Sequence, residues 1–95
     1  MEFLIDNNFS EDEIYFLDEN IPILLKEELV KQKRLVNANI RYLVDSGIKQ
    51  YKEIFIKFYE IFLLDNSEFR DIFDKYEKED LQRFLDKDIN IIEYL

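Results

Sequence analysis

Apolar residues recur at intervals of three and four along nearly the whole chain, which is the spacing of helices that bury one face. Ile14, Leu17 and Ile21 form the first such face. Its start is marked by Ser10 and Glu13 at capping-box spacing, with Phe9 and Ile14 placed as a hydrophobic staple. A helix is expected from Glu11, and Pro22, the single proline, resets the chain for a new helix start. From Pro22 to Ser46 the residues Leu25, Leu29, Val36, Ile40 and Leu43 fall within an arc of about 60° at about 100° per residue. That predicts one long amphipathic helix. Tyr51, Ile54, Phe55, Phe58, Ile61 and Phe62 keep the same spacing, and between Ile54 and Leu64 only Lys57 and Glu60 are polar. This run is expected to be the central helix, with Phe58 and Ile61 nearly fully buried. Asp65-Asn66-Ser67 then supplies a break with side chains suited to capping. Phe69, Ile72, Phe73, Tyr76, Leu81, Phe84 and Leu85 predict a second long helix, loosened around Glu77 to Asp80. No segment alternates with period two, and no hairpin dipeptide occurs. The expected fold class is all-α.

A second regularity overlies the first. Leu4-Ile5-Asp6-Asn7-Asn8-Phe9 returns as Leu43-Val44-Asp45-Ser46-Gly47-Ile48 and again as Phe84-Leu85-Asp86-Lys87-Asp88-Ile89. Each copy has two apolar residues, an Asp, a variable residue, a residue tolerant of positive φ, and an apolar residue, the pattern of a helix closed by a left-handed residue. Gly47, the only glycine, is the strongest candidate for that conformation. The spacing predicts a small helical-repeat domain of about two units with a period near 40 residues. As one domain over 1–95, it divides into unit one at about 9–47, unit two at about 48–88 and a partial third unit at 89–95.

Composition changes the picture in three ways. Nearly half of the residues are hydrophobic, with 9 Phe and 6 Tyr, enough to build a core without disulfides or metal. Cysteine and histidine are absent, which removes thiolate and imidazole sites and the usual nucleophile–base pairs. The acidic amino terminus lacks the basic and apolar regions of a signal peptide, and no apolar stretch approaches the ~18 residues of a membrane span, so a cytoplasmic protein is expected. The excess of Ile, Lys, Asn, Phe and Tyr with a single Ala suits an AT-rich genome, such as that of a low-GC bacterium or its phage.

Charge is unevenly placed. The net charge is -9, yet residues 1–25 hold seven acids and no Lys or Arg, while the segment 26–57 is net basic and 58–95 is acidic again. Acids in this number can simply solubilise an apolar small protein. They can also form a docking face for a basic partner, with Glu11, Asp12, Glu13, Asp18, Glu19, Asp71 and Asp74 as the candidate contacts. Against this stands a basic stripe, because Lys26, Lys33, Arg34 and Arg41 lie within an arc of about 100° on the helix expected after Pro22, with Asn37 among them. That stripe either touches phosphates or pairs with acids of a neighbouring helix. Ser10, Ser46 and Ser67 sit at expected helix ends, where capping explains them, and no catalytic residue is expected. Asp86, Asp88 and Asn90 begin like a calcium loop, but Ile91 stands where glycine is needed. No metal or cofactor is expected, and the chain is read as a non-enzyme.

Phe9-Ser10-Glu11-Asp12-Glu13-Ile14, Pro22-Ile23-Leu24-Leu25 and Leu43-Val44-Asp45-Ser46-Gly47-Ile48 together resemble the unit of the mitochondrial transcription termination factor (mTERF) helical repeat over residues 4–48. The second unit departs from it, with Ile61 near the proline position. The resemblance implies a helical array and nucleic-acid binding through Lys26, Lys33, Arg34 and Arg41. The charge balance instead favours a small acidic protein-binding module, an inhibitor or adaptor that docks on a basic surface, as small acidic phage proteins of the anti-CRISPR or anti-restriction type do.

Overall fold

Ser10 Oγ accepts the Glu13 backbone N–H and the Glu13 carboxylate accepts the Ser10 N–H, so the capping box forms as the spacing predicts and fixes the start of α1 (Glu11–Asn20). Phe9 and Ile14, the staple pair, are both buried. The computed structural model describes all 95 residues. After Pro22 come α2 (Ile23–Lys31) and α3 (Lys33–Asp45), then α4 (Tyr51–Phe58), α5 (Asn66–Asp74) and α6 (Lys78–Lys87). Short 3-10 helices occupy Glu2–Asn7, Tyr59–Leu63 and Ile89–Tyr94, and there is no strand. The protein is all-α, as its periodicity predicts.

Helix α3 is the axis of the fold. It packs against the first 3-10 helix, α2, α4, the middle 3-10 helix and α5. Val36, Ile40 and Leu43 carry that packing with no exposed surface. An aromatic ladder runs beside it: Phe9 to Phe55 at 5.6 Å between ring centroids, Phe55 to Phe62 at 4.9 Å, Phe62 to Phe69 at 4.9 Å and Phe69 to Phe73 at 5.0 Å. The tilted and edge-on ring pairs suit the aromatic quadrupole. They join four separate segments of chain.

Each of the long helices expected from the apolar stripes is broken, for a physical reason in each case. Between Leu29 and Val36 the stripe has no apolar member; Lys31, Gln32, Lys33 and Arg34 are all exposed, and Lys31 and Arg34 repel at i,i+3 spacing. The chain bends at Gln32 (φ -98°, ψ 28°), although its N–H still reaches the Glu28 carbonyl at 2.9 Å and its own carbonyl receives the Val36 N–H at 3.0 Å. The second break falls at Phe58 (φ -130°, ψ 39°). Here the run is apolar on every side and rich in aromatic and β-branched residues, so no single face specifies a straight helix. The bend turns Phe62 fully inward and leaves Phe58 and Ile61 only half-buried, contrary to expectation; Ile54, Phe55 and Phe62 are the fully enclosed residues. The third break is at Lys75 to Glu77 rather than Glu77 to Asp80, because Glu79 and Asp80 are well placed in the first turn of α6, where acids meet the positive helix end.

Two of the three recurring hexapeptides close as predicted. Asn8 (φ 66°) and Gly47 (φ 77°) are the only residues at positive φ. In each, the Schellman pair of hydrogen bonds forms: Phe9 N–H to Leu4 O and Asn8 N–H to Ile5 O, then Ile48 N–H to Leu43 O and Gly47 N–H to Val44 O, all 3.0 to 3.2 Å. The third copy does not follow. Asp88 is extended (φ -159°), and its carboxylate instead accepts the Asn90 N–H to start the last 3-10 helix. Three α-helices occupy the first expected unit, whereas the second mixes three α-helices with a 3-10 segment. A Cβ on Gly47 meets nothing within 4 Å, so only backbone strain opposes substitution there. Gly47→Val is expected to cost about 1 to 2 kcal/mol, seen as a lower urea midpoint with an unchanged slope.

Asn39 is wholly buried on α3, yet every polar atom of its side chain is used. Its Nδ2 donates to the carbonyls of Phe62 (2.9 Å) and Leu64 (3.0 Å), and its Oδ1 accepts from Asn66 Nδ2 (2.9 Å). Two residues earlier, Asn37 Oδ1 accepts from Asn7 Nδ2 at 2.8 Å, while Tyr51 Oη donates to the Asn7 carbonyl at 2.9 Å. One turn of α3 thus ties down both the amino-terminal segment and the link into α5.

Candidate functional site

On α1 the buried residues Ile14 and Leu17, with Ile21 just beyond, face the core. The periodicity then sets Glu11, Asp12, Tyr15, Phe16 and Glu19 outward, and Tyr15 and Phe16 are 67% and 51% exposed. α2 contributes little to the core. Leu29 is its only fully buried residue, whereas Ile23, Leu24 and Val30 are exposed. Of the eight exposed large hydrophobic residues, six lie in residues 1–30: Ile5, Tyr15, Phe16, Ile23, Leu24 and Val30. The same stretch begins with 25 residues that include no Lys or Arg.

Two shallow depressions shape this face. One, of about 270 Å3, is lined by Glu2, Ile5, Glu11, Ile14, Tyr15 and Asp18. The other, of about 280 Å3, lies between Met1, Asp18, Lys26, Glu27 and Val30. Asp18 borders both, the first lying between the first 3-10 helix and α1 and the second between the amino terminus, α1 and α2. Lys26 Nζ donates to the Asp18 carbonyl at 3.1 Å and holds the two helices at that point.

The seven candidate acids separate into free and engaged groups. Glu11, Asp12 and Glu19 are exposed and form no ion pair. Glu13 is committed to the capping box and lies 3.7 Å from Lys52 Nζ, and Asp18 lies 3.7 Å from the Met1 amino group. On α5, Asp74 accepts the Tyr42 hydroxyl, and Asp71 lines a polar depression with Ser67, Arg70 and Asp74. Arg70 stacks 5.2 Å from the Tyr42 ring centroid, so the α5 acids sit beside a cation rather than in an open acidic field. Burial first, and then the Asp74 carboxylate, push the Tyr42 hydroxyl pKa up.

Hydrogen bonding from the Ser10 backbone outweighs partial burial and holds the Glu13 pKa below the ordinary glutamate value, with Lys52 adding to the lowering. The carboxylate's stabilising contribution is therefore complete above its ordinary pKa and lost as pH falls through the lower folded value. Glu13→Gln is expected to reduce the urea midpoint at pH 7, and its difference from wild type is expected to close on acidification below the ordinary glutamate range.

The basic stripe is not a single feature of the fold. The bend at Gln32 puts Lys26 on α2 and Lys33, Arg34 and Arg41 on α3. Lys26 is turned to the Asp18 carbonyl and Arg41 lies 3.6 Å from Asp45 on its own helix, while Asn37 is held by Asn7. Only Lys33 and Arg34 are exposed and unpaired. At the break before α5, Asp65 makes no cap to the backbone, and its carboxylate accepts the Ser67 hydroxyl instead.

Composition points to the acids of α1 but not to the exposed apolar side chains beside them. The signal was present, since Tyr15 and Phe16 fall off the arc shared by Ile14, Leu17 and Ile21. No group of three or more His, Cys, Asp or Glu side chains is arranged to hold a metal ion, and no helix is long and apolar enough to cross a membrane. The chain matches no protein-family profile and no curated protein, and its fold matches no solved structure.

Proposed function

We propose that the protein is a binding module, an inhibitor or adaptor, that docks its amino-terminal face on a basic surface of another protein. One observation carries the reading: six of the eight large exposed apolar side chains fall between Ile5 and Val30, in the part of the chain whose first 25 residues hold acids and no Lys or Arg. Apolar contact supplies affinity, and an acidic rim selects a cationic partner and speeds encounter. A face that served solubility alone has no need of Tyr15, Phe16, Ile23 and Leu24 in water. Nucleic acid suits this surface poorly, because phosphates are repelled by Glu11, Asp12 and Glu19, and Lys33 and Arg34 alone offer two contacts.

The test compares wild type with a Glu11→Lys, Asp12→Lys, Glu19→Lys variant against the partner recovered from the source cell. The three sites are exposed and outside the core, so the fold is retained. Association is expected to slow by about tenfold or more and to lose most of its salt dependence. A Lys33→Glu, Arg34→Glu variant is expected to bind as wild type does. Submicromolar binding of duplex DNA or RNA at physiological salt, abolished when Lys33, Arg34 and Arg41 are reversed to Glu, would overturn the proposal.

A further inference from the structure

Two depressions share Asp18 in their linings, one between the first 3-10 helix and α1 with Ile5 and Tyr15, the other between Met1, Asp18 and α2 with Val30. We infer that the two depressions act together as one trough that seats a basic amphipathic helix of the partner protein, an inference that rests on the protein-binding function proposed above and specifies its occupant. Three features select that occupant.

The first is charge. Glu2, Glu11, Asp18 and Glu27 border the trough, and Lys26 is the single cationic side chain in it, already turned to the Asp18 carbonyl. Asp18 also has the Met1 amino group at 3.7 Å, so Glu2, Glu11 and Glu27 are the carboxylates left for a ligand's Lys or Arg. A second copy of this chain is a poor occupant, since it would set one acid-rich, Lys-free and Arg-free segment against another.

The second is backbone chemistry. An extended peptide binds by adding a strand to a sheet edge, and this protein has no strand to offer one. A helix brings its own backbone hydrogen bonds satisfied and needs from the surface only a place for side chains. The third is shape. α1 is 10 residues long, a span of about 15 Å at 1.5 Å per residue, which matches about three turns of a partner helix. Apolar residues at i, i+3 or i+4, and i+7 on such a helix then meet Tyr15, Ile5 and Val30, while its flanking cations meet Glu11 and Glu27.

Two synthetic peptides of about 14 residues, composed only of Leu and Lys, test the inference. One has Leu at helical period; the other has the same composition with Leu and Lys alternating. The helical peptide is expected to bind the intact protein at least about tenfold more tightly than the alternating one, and to gain helical circular dichroism on binding. Tyr15→Ser or Val30→Ser is expected to weaken it by about tenfold, whereas Tyr94→Ser, at an exposed apolar position in the last 3-10 helix and outside the proposed docking face, leaves it unchanged. All three sites are exposed, so loss of folding does not confuse the result. Equal affinity for the two peptides, indifference to Tyr15→Ser and Val30→Ser, or no binding of either peptide overturns the helix seat. None of those outcomes touches the broader proposal, which stands or falls on the charge-reversal variant and the cellular partner.

Discussion

Phe62→Ala is expected to destabilise the protein by about 3 to 5 kcal/mol, a large part of what a domain of this size has in total. The Phe62 ring has no exposed surface and lies 4.9 Å from both Phe55 and Phe69, at the middle of the aromatic ladder. Truncation removes the apolar area of one ring and strips two others of their contacts. The neighbours on either side belong to different helices and the segment itself is a 3-10 turn fixed by Asn39, so the space left behind cannot close easily. Phe58→Ala is expected to cost less than half as much, because that ring is only half-buried. Urea denaturation of the two variants side by side checks the ranking, and equal losses would show that the bend at Phe58 does not sort the two rings as described.

The second large effect is polar. Asn39→Asp is expected to cost at least about 3 kcal/mol at pH 7, since two donated hydrogen bonds become repulsive contacts between a carboxylate and the carbonyls of Phe62 and Leu64. Burial among acceptors raises the pKa of the introduced acid in the folded state. Its sign follows: the variant is least impaired below the ordinary Asp value of about 3.9 and loses stability as pH rises from there towards the folded pKa. Asn39→Ala, with no group to titrate, is expected to lose about 2 to 3 kcal/mol through the orphaned carbonyls and the cavity, with no comparable pH slope. Denaturation midpoints at pH 3.5, 5 and 7 separate the two variants.

Local grammar was legible in this chain wherever one or two neighbouring residues decide the outcome. Ser10 and Glu13 specify a cap, Gly47 and Asn8 specify left-handed closures, and Pro22 specifies a helix boundary, all without help from distant contacts. The failures share a different origin. Whether the stripe from Leu25 to Leu43 makes one helix or two depends on whether anything packs against Gln32, and that is a tertiary matter. Phe58 and Phe62 are indistinguishable by spacing, and a single side chain from another helix, Asn39, decides which turns inward by capturing carbonyls that a continuous α-helix would use itself. The acidic half of the candidate surface could be read from composition, whereas its apolar half required knowing that α2 leaves most of its side chains uncovered.

That thin attachment of α2 has a consequence for motion. A helix anchored by Leu29, by the Lys26 contact to α1 and by the ladder through Gln32 has few bonds to lose on opening, so its amides belong to the low end of the range of local unfolding free energies, well below those of α3. Any ligand that rests on Val30 must restrain this helix as it binds, and part of the interaction free energy is spent on that ordering. Substitutions that stiffen α2 from within, such as exposed positions changed to stronger helix formers, therefore tune affinity without touching the ligand at all.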